Sequence, residues 1–254
     1  MVNSHWQKAI SKKMAKPTYQ DLLDAGVHFG HMRKKWNPKM APYIFMERKG
    51  IHIIDLNRTL EGLERAANAM RAIAKSGRKI LFVATKKQAR DIVASAAQSV
   101  GMPFVTDRWL GGMMTNFSTI KRSVKKMQTI ERMLTDGTAA NMTKKERLTL
   151  DRERQKLGKV FSGIESLGRL PAAIFVVDIL HEHIALAEAE RLGIRTFAMV
   201  DTNSDPNKVD FAIPANDDAS KSIGIITGYL VEAIREGLGE RTTKAEEKEA
   251  EVEG

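Results

Sequence analysis

The stretch Pro171-Ala-Ala-Ile-Phe-Val-Val-Asp-Ile-Leu-His-Glu-His-Ile-Ala-Leu-Ala-Glu-Ala-Glu-Arg-Leu-Gly-Ile-Arg-Thr-Phe-Ala-Met-Val-Asp201 decides the fold class. Ala172–Val177 is a short, almost wholly apolar run rich in β-formers, which reads as a strand buried on both faces. His181–Leu192 has helical spacing and is followed by Gly193, where a helix C-cap glycine belongs. Thr196–Val200 is a second buried strand. Strand, helix and strand within thirty residues form a βαβ unit, and a βαβ unit demands a parallel sheet.

The same rhythm extends in both directions. Upstream, Ile51–Leu56 reads as a strand, Arg58–Ser76 as a helix closed by Gly77, Lys79–Ala84 as a strand, Lys86–Val100 as a helix closed by Gly101, and Pro103–Thr106 as a short strand. Downstream, Val209–Ile213 reads as a last strand and Asp217–Gly237 as a last helix. The chain is expected to be an α/β protein, a three-layer parallel sheet of flavodoxin-like or Rossmann-like type with helices on both faces.

Between the two halves the rhythm stops. Phe117, Ile120, Val124, Met127 and Leu134, and then Leu150, Leu157, Val160, Ile164 and Leu167, follow heptad-like steps. Thr135-Asp-Gly-Thr138 separates the two seams as a turn, and Thr143-Lys-Lys-Glu146 is a capping box opening the second helix. Residues 117–167 are therefore expected to be an inserted, protruding antiparallel helical hairpin, coiled-coil-like, whose helices pack mainly on each other. The α/β domain is expected to be discontinuous, over 17–116 and 168–238. Residues 1–16 read as a basic N-terminal extension, and 239–254 as an acidic tail, disordered or a solvated helix.

The chain has 254 residues, 43% of them hydrophobic, enough for a sizeable core. It has no cysteine, which excludes a disulfide scaffold, a cysteine zinc site and a cysteine nucleophile. No run of about 18 apolar residues predicts a membrane span, and the polar, basic start lacks the apolar centre of a secretory signal. The formal net charge is +10, and it is unevenly placed. Residues 1–50 carry ten Lys/Arg against three Asp/Glu, residues 117–165 twelve against six, and the tail from 236 three against seven. Such basic regions point to a polyanionic partner, since Lys and Arg gain by displacing phosphate counterions.

For a nucleotide-binding enzyme the motifs are missing. Neither a G-x-G-x-x-G nor a G-x-x-x-x-G-K-[ST] loop occurs, and Thr85-Lys-Lys-Gln88 follows a strand where a Rossmann enzyme places glycines. No G-x-S-x-G nucleophile elbow is present. His28 and His31 have no evident third ligand. Asp178, His183, Asp201 and Asp205 fall at neighbouring strand ends and are the candidate ligands for Mg²⁺ or Zn²⁺ along one rim; capping and turn-forming are the alternative roles for such residues. The EF-hand pattern fails, because Pro206 stands where its glycine is required and Ala212 where its closing glutamate is required. The candidate RNA-binding residues are Lys12, Lys13, Arg33, Lys34, Lys35, Trp36, Lys39, Lys86, Lys87, Arg108, Trp109, Lys121, Arg122, Lys125, Lys126, Lys144 and Lys145. They combine clustered cations with two tryptophans placed to stack on bases; the alternative is a solvated loop for the stretch around Trp36 and core packing for Trp109.

Seven segments also carry a family resemblance: Gly26-Val-His-Phe-Gly-His31, Trp36-Asn-Pro-Lys-Met40, His52-Ile-Ile-Asp55, Arg108-Trp-Leu-Gly-Gly112 with Thr115-Asn116, His181-Glu-His-Ile184, Asp201-Thr-Asn-Ser-Asp-Pro206 and Asn216-Asp-Asp218. In this order and spacing, from about Met14 to Gly237, the chain resembles the bacterial small-subunit ribosomal protein two family. The resemblance implies a flavodoxin-like sheet with a projecting helical hairpin and no catalysis. It implies a cytoplasmic, ribosomal structural protein supporting translation, whose partners are small-subunit ribosomal RNA, neighbouring ribosomal proteins and ribosomal protein one near the mRNA exit, with no membrane and no small-molecule substrate. No cofactor is required on this reading, though an Asp/His rim in the family is sometimes associated with a metal. Thirteen residues precede Met14, either an early start or an added basic arm. Two other readings compete: an enzyme using the Asp/His rim with a nucleotide or metal, and an adaptor whose main partner is another protein.

Overall fold

The alternation of side chains along five parallel strands organises the molecule. A computed structural model describes residues 16–136 and 142–253. In chain order they form helix α1 (Tyr19–Asp24), strands β1 (Phe29–Met32), β2 (Ile44–Arg48) and β3 (Ile51–Ile54), helix α2 (Leu56–Lys75), strand β4 (Ile80–Val83), helix α3 (Arg90–Ser99), strand β5 (Phe104–Val105), helices α4 (Phe117–Thr135) and α5 (Lys144–Phe161), strand β6 (Ala173–Val177), helix α6 (His183–Leu192), strands β7 (Arg195–Val200) and β8 (Phe211–Pro214), and helix α7 (Ser220–Glu253).

The parallel sheet has the order β5-β4-β6-β7-β8. Counted along the chain, that is 2-1-3-4-5, the flavodoxin-like order with its switch point between β4 and β6. Every residue of β4 and β6 is buried. Phe82, Phe175 and Phe197 face a first core under α2, α3 and α7. Leu81, Ile174 and Ala198, one position away, face a second core with Trp109, Ile120, Phe161 and Leu186. A period of two thus divides nearly continuous apolar runs between two helical layers.

Ile51–Ile54 does not join this sheet. It is the centre of a separate antiparallel sheet, β1-β3-β2. The reason is local: Lys49 and Gly50 both have positive φ, 51° and 76°, which makes the tight two-residue connection that folds β3 back on β2. Neither β1 nor β2 is expected from the sequence, because both are largely exposed and lack alternation. The small sheet lies over the carboxyl edge of the large one. Its approach is close enough that a Cβ on Gly30 would stand 2.5 Å from Thr202 Cγ2.

Residues 117–167 hold α4 and α5 and, among the described residues, no strand. Thr143 and Glu146 form the reciprocal capping box at the start of α5. Lys126 pairs with Glu153 across the two helices. The foot of α4 does more than pack on its neighbour, since Ile120, Val124 and Met127 enter the second core of the body beside Phe161, Ile164 and Leu167. Of the turn expected at Thr135–Thr138, Gly137 and Thr138 lie outside the described residues. Helix α7 runs on through the acidic tail to Glu253.

Candidate nucleic-acid interface and the filled crevice

The switch point between β4 and β6 is where a doubly wound domain holds a nucleotide phosphate. In this chain protein groups fill it. Both the backbone N–H and the hydroxyl of Thr85, just after β4, donate to Glu182 Oε1 at 2.6 Å, and Glu182 is buried. A side-chain carboxylate therefore takes the donors that would face a phosphate. Lys86, the next residue, lies 2.9 Å from Asp178, 2.7 Å from Asp217 and 2.7 Å from Asp218. Burial disfavours its charge, yet the three carboxylates outweigh burial and its pKa is raised. Asp217 is fully buried; burial, with repulsion from Asp178 and Asp201, pushes its carboxyl up to about 7 against the pull of Lys86. Asp178 holds a left-handed backbone, φ 68°, that lets its Oδ1 accept from the N–H groups of Leu180 and His181.

Beside Lys86, His31 on β1 places Nδ1 2.9 Å from Asp201 and Nε2 3.5 Å from Asp218. The bond to Asp201 raises its pKa against the effect of burial. The His31 N–H donates to Thr202 Oγ1, and the Asn37 N–H to the Thr202 carbonyl, both at 2.8 Å. These contacts, with Lys39–Asp205 at 2.6 Å, fasten the small sheet across the crevice.

The four candidate metal ligands do not converge. Asp178 serves Lys86, Asp201 serves His31, and Asp205 serves Lys39. His183 turns Nδ1 to the Leu180 carbonyl at 3.1 Å. His183 and Asp205 both line a cavity of about 660 Å³ beside α6, but no third acidic or histidine ligand joins them in an arrangement that would hold a metal. Among the described residues no group of three or more Asp, Glu or His is arranged for a metal. The Mg²⁺ or Zn²⁺ expected on this rim does not fit the residues present.

The candidate RNA-binding residues divide by what they already touch. Lys34, Lys35, Lys87, Arg108, Lys125, Lys144 and Lys145 are exposed and, among the described residues, make no ion pair. Lys121 donates to the Gly168 carbonyl and Arg122 to the Thr119 hydroxyl. Arg33, Lys39, Lys86 and Lys126 are paired with Glu47, Asp205, the aspartate cluster and Glu153. Trp36 is 38% exposed, its ring 5.2 Å from that of His52. Trp109 is buried in the second core, which is the packing alternative for this residue. Lys12 and Lys13 lie outside the described residues.

Sequence reasoning missed Glu188. This α6 carboxylate, only 7% exposed, accepts from Trp109 Nε1, the N–H groups of Gly112, Met114 and Thr115, and the Thr115 hydroxyl. It holds the whole Arg108–Asn116 loop in place. The available signal was a glutamate on the inward face of an otherwise apolar helix stripe. Glu182 sits on that helix's leading edge and was missed for the same reason.

A flavodoxin-like domain whose phosphate position is occupied by its own side chains is a scaffold rather than a nucleotide enzyme. The profile of the family described as ribosomal protein S2 matches residues 22–237. Among its relatives, the small ribosomal subunit protein uS2 of Cytophaga hutchinsonii is 61% identical over 223 residues, covering 88% of each chain. That of Parabacteroides distasonis is 58% identical over 239 residues, 94% of this chain and 85% of the relative. That of Flavobacterium psychrophilum is 61% identical, covering 89% and 85%. The chain belongs to the ribosomal protein S2 family, a structural and non-enzymatic family.

Proposed function

We propose that the chain is a structural constituent of the small ribosomal subunit in the cytoplasm, and that it grips folded ribosomal RNA through the exposed cations Lys34, Lys35, Lys87, Arg108, Lys125, Lys144 and Lys145, which make no ion pair among the described residues, with the basic 1–16 segment. One observation carries the RNA reading: among the described residues seven of the candidate cations are exposed with no carboxylate partner, whereas Lys86, drawn into the crevice, is held by three aspartates. Unpaired cations of one sign repel each other unless an anion lies against them. Most of these contacts fix position on a folded RNA rather than read its bases. The helix pair α4–α5 acts as an arm of the α/β body in this role. A second part of the reading is docking of ribosomal protein one. It is supported by four large apolar side chains of the small sheet that face solvent, Phe29, Met32, Phe45 and Met46. Among the described residues no helix is long and apolar enough to cross a membrane.

Sedimentation of a gentle lysate through a sucrose gradient tests this. The chain is expected to travel with small subunits and whole ribosomes and to leave those fractions after RNase treatment. A chain that stays at the top of the gradient refutes the reading. Replacing Phe45 and Met46 by Ala is expected to release ribosomal protein one from subunits that keep this chain; retention refutes the docking.

A further inference from the structure

A groove of about 390 Å³ lies between α4 and the turn at 162–168, a size usual for sites that take small organic groups. Its floor is apolar, made by Ile120, Val124, Ile164 and Leu167, each less than a tenth exposed. Lys121 closes one end, its Nζ 2.7 Å from the Gly168 carbonyl and 5.8 Å from the Phe117 ring centroid, so it ties the two walls together. The rim is cationic. Arg122, Lys125 and Arg132 stand three and seven residues apart on α4, on one helix face. Among the described residues Lys125 and Arg132 make no ion pair. The acid on the opposite rim, Glu165, accepts from Gln128 Nε2 at 2.8 Å. Lys126, one residue from Lys125, points instead to Glu153 on α5.

The groove makes two demands on one ligand: a flat uncharged body for the floor and anions for the rim. A base-paired helix offers the anions but keeps its bases stacked inside. An acidic peptide reaches the floor only by setting an apolar side chain between its carboxylates, and the RNA-binding reading above favours RNA as the source of the anions. A single unpaired nucleotide meets both demands, with its base on the apolar floor and the phosphates on either side of it on Lys125 and Arg132. These two cations lie about 10 Å apart along the helix axis, and flexible side chains close that span. We propose that this groove captures one nucleotide extruded from small-subunit ribosomal RNA. The proposal rests on the RNA-binding reading above.

The chain has no cysteine, so a single Ser166→Cys on the exposed groove wall takes a thiol-directed photo-cross-linker at one place only. Lys145→Cys on α5, outside the groove, is the second probe. Both are assembled into small subunits, incorporation is checked by sedimentation, and the subunits are irradiated. The expected result is that probe 166 cross-links to one unpaired nucleotide. Adding Lys125→Ala and Arg132→Ala should lower that yield about tenfold per incorporated chain, the scale of losing a charge-assisted contact. Cross-links from 166 into a protein or into base-paired RNA overturn the proposal. So does silence at 166 while probe 145 reaches RNA, an outcome that leaves the RNA reading standing. If neither probe reaches RNA in subunits that contain the chain, both readings fall.

Discussion

Trp109 Nε1 donates to Glu188 Oε1 at 3.0 Å, and this bond joins the loop before α4 to the inner face of α6. The same carboxylate accepts from Gly112, Met114 and Thr115, so one side chain satisfies most of the donors that the tight Gly111-Gly112 turn would otherwise bury unpaired. Glu188→Ala leaves those donors orphaned. It is expected to lower the unfolding free energy by about 3–5 kcal/mol, read by urea denaturation. With Trp6 and Trp36 replaced by Phe, Trp109 emission should also move to longer wavelength. An unchanged midpoint would show that the loop stands without the carboxylate.

Burial opposes the Glu188 charge, but the bonds from Thr115, Trp109, Met114 and Gly112 outweigh it and hold its pKa below the usual 4.5. A group depressed in the folded state adds stability that is full above its unfolded value and is lost as pH falls through the lowered one. The acid arm of the stability profile should therefore be shallower in Glu188→Gln than in the parent chain. Parallel acid arms would contradict this.

Lys86 is the counter-ion of the crevice. Lys86→Met keeps the length of the side chain and strands Asp178, Asp217 and Asp218 around an uncharged thioether. Removing one partner of a buried ion cluster costs about 3–5 kcal/mol. The loss should be greater at pH 8 than at pH 5, where Asp217 takes up a proton more readily. RNA binding by the folded fraction should be unchanged, because this lysine spends its charge inside the protein.

Asp217 gives the opposite pH sign from Glu188. Burial, Asp178 and Asp201 raise its carboxyl to about 7 from 3.8, so the folded chain binds this proton more tightly than the unfolded one. Its contribution to stability is present below about pH 4 and is lost as pH rises through about 7. Asp217→Asn, which keeps an oxygen for Lys86, is expected to flatten the fall in stability over that window. A slope equal to that of the parent chain would assign the titration elsewhere.

Where side chains alternate between two buried faces, the sequence is legible. Ala172–Val177 and Lys79–Ala84 read as strands because nothing polar could be tolerated inside them, and the glycines at 77, 101 and 193 mark the helix ends where positive φ is needed. Of the small sheet only the central strand, at Ile51–Ile54, is legible; β1 and β2 have no inward face to impose a period, and the turn at Lys49-Gly50 dictates the pairing. Among the site residues, charge alone could not separate Lys125 from Lys126. Their fates depend on where α5 lies, and hence on Glu153, twenty-seven residues away. Lys86 likewise looked like a phosphate ligand until the folding of residues 178 and 217–218 brought three carboxylates to it.

That separation sets the last expectation. On rRNA fragments, the slope of log affinity against log salt counts the phosphates a protein neutralises, at about one unit per lost contact. Lys34→Ala with Lys35→Ala, and Lys144→Ala with Lys145→Ala, remove exposed cations that have no internal partner. Each pair should reduce the slope by about two units and weaken binding to different RNA sequences about equally. Lys126→Ala and Lys39→Ala remove cations already neutralised by Glu153 and Asp205. They should leave the slope unchanged, and Lys39→Ala should act instead through stability, by loosening the small sheet. Were Lys126→Ala to reduce the slope as much as Lys125→Ala, the ion pair to Glu153 would have to open on RNA, and internal pairing would no longer mark which cations stay out of the interface.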